Sequence, residues 1–250
     1  MDNYHLLIDL HKHAHRQGPG GDAETQMALE LSRVDTSAPL HIADIGCGTG
    51  ASALFLARHL NATITAVDVL EEFLKVLETR ATQAGLSDKI STLLCSMDTL
   101  PFEDGEFDII WSEGAIYNIG FEQGINSWKR YLKSGGLLVV SEITWLTESR
   151  PQELQNHWDH EYPQVDVASS KMSALETAGY SPIGYFVLPE HCWMENYYNP
   201  MQESFDDFIK RNGNSAEARA IVEAEIKEIQ LYKTYKEYYS YGVYVARKRE

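Results

Sequence analysis

The chain has 250 residues, 44% of them hydrophobic, enough for one sizeable α/β core in a single domain. A formal net charge of −16 excludes recognition of a phosphate backbone, which rests on Lys and Arg, and argues equally against anionic membrane surfaces. The cysteines Cys47, Cys95 and Cys192 lack metal-type spacing, Met1 to His5 has no basic leader character, and no apolar run reaches membrane length; the expectation is a cytoplasmic protein with no metal and no membrane insertion.

In chain order, Leu6, Leu7, Leu10 and Ala14 recur at helical spacing and predict a helix over 2–17. Gly18-Pro19-Gly20-Gly21 breaks it before a second predicted helix over 22–33. From Leu40 onward the pattern alternates: strand 40–45, helix 49–60, strand 62–68, helix 70–84, strand 89–95, strand 107–111, helix 121–132 and strand 137–143. Such alternation implies an α/β fold with a mostly parallel sheet covered on both faces and ligands at the carboxyl ends of its strands. Residues 144–166 show little periodicity and are read as irregular. A helix over 167–178 and a strand over 180–188 follow, and a last strand over 241–247 is expected as an antiparallel edge. Between them lies an insertion with an aromatic cluster (Trp193, Tyr197, Tyr198, Phe205, Phe208) and a charged helix over 216–239. That helix is read as a solvated face, with a homodimer contact as the alternative.

The chemistry concentrates in Asp44-Ile45-Gly46-Cys47-Gly48-Thr49-Gly50, between the first core strand and the next helix. Glycines at alternate positions let the backbone turn tightly and a ligand approach it. A dinucleotide would use such a loop for its diphosphate, but a carboxylate at Asp44 repels phosphates and favours the ammonium of a methionine moiety. Asp68, with Val69 beside it, ends the second strand where an acid can take both ribose hydroxyls, a feature shared by either cofactor class. Ser96-Met97-Asp98 after the third strand discriminates between them: the Met packs on an adenine face and the acid accepts from its exocyclic amine.

With these residues in view, the sequence resembles the class I S-adenosylmethionine-dependent methyltransferases over roughly residues 38–190 plus the last strand. Phe102 to Trp111 looks like the family's acidic turn into strand four, and Leu132 to Glu142 like its glycine turn and strand five. Leu100-Pro101-Phe102 is typical of the small-molecule branch that includes ubiquinone/menaquinone and sterol methyltransferases. Arg16 to Gly20 and Trp111 to Gly120 further resemble methyltransferases of gut Bacteroides-type bacteria. The resemblance implies a Rossmann-like sheet of seven strands with an antiparallel edge strand. It also implies an N-terminal helical lid (1–35), a core (36–189 and 240–250) and a helical insertion (190–239) within one domain.

The implied cofactor is S-adenosyl-L-methionine, held by Asp44, Gly46, Gly48, Thr49, Gly50, Asp68, Val69, Ser96, Met97, Asp98 and Glu113. Arg16 and Gln17 from the lid are expected on the methionine carboxylate, Arg being suited to bidentate binding; a helix-terminal cation is the competing reading. Glu113 and Tyr117 are the candidate catalytic residues, Glu113 as a base or as the holder of a cationic acceptor, with a backbone-only role as the alternative. The expected partner is a small-molecule methyl acceptor. The rival functions are a non-catalytic S-adenosylmethionine-binding sensor or partner subunit, and a nicotinamide oxidoreductase.

Overall fold

A computed structural model of the protein describes residues 4–250. Helix α1 (Tyr4–His11) is shorter than its apolar spacing suggests. The Gln17 side-chain amide donates to the carbonyls of His11 and Ala14, turning the chain toward the sheet where a further helical turn would have run. Residues 2 and 3 of the expected helix lie outside the described residues. Helix α2 (Asp22–Ser32) follows, with Asp22 and Glu24 in its first turn, where acids suit the helix dipole.

The core then runs through β1 (Leu40–Ile45), α3 (Ala51–His59), β2 (Ala62–Asp68), α4 (Glu71–Gln83), β3 (Ile90–Leu94), β4 (Phe107–Ser112), α5 (Phe121–Trp128) and β5 (Leu132–Trp145). Helix α6 (Gln152–Glu161) occupies the stretch expected to be irregular. Only Leu154 of its ten residues is buried, so its apolar stripe is too narrow to register as a period. The chain continues through β6 (Asp166–Val167), α7 (Ala168–Thr177) and β7 (Tyr180–Val187) into the helical insertion, which comprises α8 (Glu190–Trp193), a π turn at Met194–Tyr198, α9 (Asn199–Arg211) and α10 (Ala216–Tyr235). Strand β8 (Tyr239–Lys248) ends it.

The sheet order is β3-β2-β1-β4-β5-β8-β7, with β6 a short parallel addition to β5. Strand β8 runs antiparallel to both β5 and β7. The antiparallel strand therefore lies one place in from the edge, and β7 forms the edge itself. Periodicity reveals strands without their lateral order; the unbroken burial of Val243, Tyr244, Val245 and Ala246 is the mark of an interior strand.

Chain direction across the sheet reverses between β1 and β4, the position where α/β sheets open a crevice at their carboxyl ends. Two apolar layers, one on each face, hold that crevice rigid. The insertion closes one end as a cap with its own aromatic core. Trp193 stacks on Tyr232 with centroids 4.4 Å apart, and its indole N–H donates to Ser240 Oγ at 2.9 Å. Each large buried ring contributes about 1.5–3 kcal/mol, so the cap is an integral layer of the fold. Trp193, Tyr198, Phe205 and Phe208 are all buried there, whereas Tyr197 looks into the crevice.

Candidate cofactor and acceptor site

The crevice holds a cavity of about 550 Å³, within the range of small-molecule sites. Its floor is the glycine loop after β1. Gly46 (φ +76°) and Gly48 (φ +55°) adopt the left-handed region that side chains avoid. A Cβ on Gly46 would stand 2.3 Å from the Ala115 Cβ, so the loop after β1 packs directly against the loop after β4. Gly50 serves a different purpose from the one expected. A Cβ there would meet Leu77 at 2.1 Å, so this glycine lets α3 approach α4 and does not line the cavity.

Thr49 is also turned away. It is fully buried, its backbone N–H donates to Gln17 Oε1 at 2.8 Å, and its hydroxyl is held by Gln17 and Arg80. Gln17 borders the cavity, but its amide group is spent on Thr49, His11 and Ala14, binding the lid connector to the glycine loop in place of a ligand carboxylate.

Asp68, at the end of β2, lines the cavity and organises it. Its Oδ2 accepts from the Gly48 N–H and its Oδ1 from the Leu70 N–H, both at 2.9 Å. Each oxygen retains a second lone pair for a ligand hydroxyl. Burial raises the carboxyl above its usual range, and the backbone donors oppose that shift. Val69, Ser96, Met97 and Asp98 complete this wall. The Met97 carbonyl accepts from the Trp128 indole N–H at 3.0 Å, which fixes the segment after β3.

Asp44 is not the ammonium contact that its position beside the loop suggested. It is 0% exposed beneath the loop and absent from the cavity lining. Ser52 Oγ donates to Oδ2 at 2.7 Å, while Oδ1 has no hydrogen-bond partner. Burial pushes this carboxyl up to about 7, with Glu113 and Asp68 adding like-charge repulsion. A folded-state value above the unfolded one means that the native protein binds the extra proton, so this group's contribution to stability falls as pH rises from about 4 to about 7. The expected outcome is that Asp44→Asn flattens the pH dependence of the melting temperature over that interval, read by thermal denaturation at several pH values.

Glu113, just beyond β4, is committed to the fold. Arg16 Nη1 donates to its Oε2 at 2.7 Å, and Thr25 Oγ1 and Trp111 Nε1 donate to its Oε1 at 2.8 and 2.9 Å. Arg16, only 7% exposed, also donates to Asp22 and Thr25. A carboxylate held by three donors, one of them a buried guanidinium, is neither a free base nor an open holder of a cation. The same pairing takes Arg16 from the expected methionine-carboxylate role. Together they fasten the N-terminal segment to the sheet at the rim of the cavity.

Tyr117 lies on the 3₁₀ turn Ile116–Asn118 and borders the cavity with Asn118 and Ile119. Its ring meets Tyr162 edge-on at 6.1 Å, and the residue is 42% exposed.

Sequence reasoning missed several wall residues. Tyr4, Leu7, Ile8 and His11 of α1 line the cavity. Their helical spacing was the available signal. Tyr197, marked in sequence only as part of the insertion's aromatic cluster, also lines the cavity, and nothing in the sequence marked Thr25 or Trp111 as partners of Glu113.

A glycine loop at the switch point, an acid at the end of β2 and an antiparallel strand inserted next to the edge define the class: a class I methyltransferase fold. Residues 43–140 match the family model described as a methyltransferase domain. The methyltransferase GfsG of Streptomyces halstedii is 35% identical over half of this chain and 46% of its own length. The demethylmenaquinone methyltransferase of Bacteroides fragilis is 32% identical over 42% of this chain and 44% of its own. The chain thus spans about half the length of these curated relatives. Among solved structures, a methyltransferase from Geobacter sulfurreducens in complex with S-adenosyl-L-homocysteine superimposes over 98% of both chains with a TM-score of 0.86; at 16% identity the likeness is one of fold.

Proposed function

We propose that the protein binds S-adenosyl-L-methionine in the 550 Å³ cavity and transfers its methyl group to a small-molecule acceptor. The observation that carries this reading is the charge of the walls. Asp68 and Asp98 face the space, while its one arginine is neutralised by Glu113, so no free guanidinium or ammonium is offered to a diphosphate among the described lining residues. A nicotinamide or flavin dinucleotide is therefore disfavoured, and a zwitterionic adenosyl sulfonium fits. Asp68 would hold the ribose hydroxyls, Asp98 and Met97 the adenine, Ser96 and Val69 its flanks, and the Gly46–Gly48 backbone the methionine arm.

When bound, the sulfonium supplies an electrophilic methyl carbon. The chain's own residues position the acceptor and exclude water, and orientation alone can contribute roughly 7–11 kcal/mol to such a displacement. Tyr117 and Asn118 border the acceptor side, where they donate to an acceptor oxygen or close over the methionine arm. We retain the single-domain organisation, with the lid ending near residue 35 and the insertion over 190–239. A cytoplasmic setting accords with three free cysteines, and no helix among the described residues is long and apolar enough to cross a membrane. A homodimer, if formed, would use the outer face of α10, where Ile226 is exposed.

Asp98→Ala is expected to weaken S-adenosylhomocysteine binding by about 1.5–3 kcal/mol, the value of a charge-assisted hydrogen bond, with the melting temperature nearly unchanged. Titration calorimetry measures the first. Wild-type affinity in the variant, or uptake of NAD in place of the adenosyl ligand, defeats the reading. A non-catalytic sensor is separated by turnover: the enzyme forms S-adenosylhomocysteine with a metabolite extract and the sensor does not.

A further inference from the structure

Outside the cavity, three side chains of different chemistry converge where the lid meets the cap. Glu24 stands in the first turn of α2, while His191 and Cys192 are consecutive in α8. Their donor atoms all lie within 4.8 Å of one another. His191 Nε2 is 3.1 Å from Glu24 Oε1, and Glu24 Oε2 is buried with no hydrogen-bond partner. An orphaned buried carboxylate oxygen is costly, and a cation bound here would satisfy it. Gly21 makes room for it: the backbone there is extended (φ −167°), yet a Cβ would stand 2.2 Å from Glu24 Oε2.

We propose that Glu24, His191 and Cys192 form a zinc site that ties the N-terminal lid to the helical cap. One thiolate, one imidazole and one carboxylate suit a borderline-soft divalent ion, whereas magnesium and calcium take oxygen donors. Three protein ligands leave one tetrahedral position, which water fills on the side of the partly exposed His191. Cys192 binds as the thiolate, its proton leaving to solvent, and no other bond changes.

The location gives the ion a structural task. Glu24 lies directly after the Gly18–Gly21 break and next to Thr25, which donates to Glu113. Asn196 of the cap already donates to the Gly20 carbonyl at 2.7 Å. A metal bond here would fix the lid beyond its glycine break while leaving the donor pocket untouched, because none of the three ligands lines it. Spacing could not reveal the site, since its ligands are far apart in sequence and meet only when α8 docks on α2.

The test uses the full chain, stripped with a chelator and titrated with Zn²⁺ by calorimetry and with Co²⁺ by absorption. One equivalent should bind, Co²⁺ should show a thiolate charge-transfer band, and Zn²⁺ should raise the melting temperature. Cys192→Ser should remove the band and weaken Zn²⁺ binding by about a hundredfold or more, exceeding the 10–100-fold typical of groups that only orient a ligand. His191→Ala, at a partly exposed position, tests the site without opening the core. Gly21→Ala keeps all three ligands, crowds the Glu24 carboxylate and should weaken binding as well. S-adenosylhomocysteine affinity in the same samples reports an intact fold, independently of the metal. Absence of stoichiometric uptake, a cobalt spectrum without the thiolate band, or wild-type Zn²⁺ affinity in the His191 and Cys192 variants overturns the proposal, the last assigning the metal to histidines elsewhere.

Discussion

Asp68→Ala should lose S-adenosylhomocysteine affinity by at least about 1.5–3 kcal/mol, roughly ten- to more than a hundredfold, because the carboxylate serves ligand and loop together. Its two oxygens accept the backbone N–H groups of Gly48 and Leu70. Removing them leaves both donors without their partner and lets the positive-φ turn at Gly48 relax, so affinity falls further than for Asp98→Ala, whose carboxylate is exposed. Asp68→Asn, which keeps one acceptor oxygen, should fall between wild type and alanine. Calorimetry on the three proteins, with melting curves in parallel, decides the matter. An alanine variant that binds like wild type would remove Asp68 from the ligand and leave it as a loop anchor alone.

The second large effect is on stability. Glu113→Ala leaves the Arg16 guanidinium, which is 7% exposed, with only the more exposed Asp22 as its carboxylate partner, and deprives Thr25 and Trp111 of their shared acceptor. Breaking a buried ion pair from one side costs about 3–5 kcal/mol, and urea unfolding should show a loss of that order. Limited proteolysis should find the Gly18–Gly21 connector cut faster, because the pair fastens lid to sheet. Glu113→Gln keeps an acceptor and should cost less; adding Arg16→Met to it should recover part of the loss, since the two sites couple directly. A Glu113→Gln variant of wild-type stability whose turnover alone collapses would restore the general-base role that the geometry denies.

Much of this molecule is written locally. The run from Leu40 to Ile45, the glycines after it and the acid closing the next strand could be read in sequence because each is a short-range requirement: a buried strand needs apolar residues, a left-handed turn needs glycine, and a strand end can present a carboxylate to a ligand. Asp68, Val69, Ser96, Met97 and Asp98 follow from that logic and all line the cavity. Residues whose roles depend on a distant partner were read less well. Asp44, Thr49 and Gly50 belong to the same motif, yet burial under the loop, the lid's Gln17 and the close approach of α4 turn them inward. Helix α6 escaped because one buried leucine makes no period.

By itself, the sequence determined the alternation of strands and helices, the parallel sheet, the glycine-lined floor and the acids Asp68 and Asp98 beside it. These depend on steric preference and apolar spacing among neighbours. Only the tertiary structure decided that β8 sits inside the edge, that Glu113 is bound to Arg16 rather than open to an acceptor, and that Glu24 meets His191 and Cys192. Long-range contacts are chosen by how whole layers pack, and no local pattern encodes which side chain will face which across the gap.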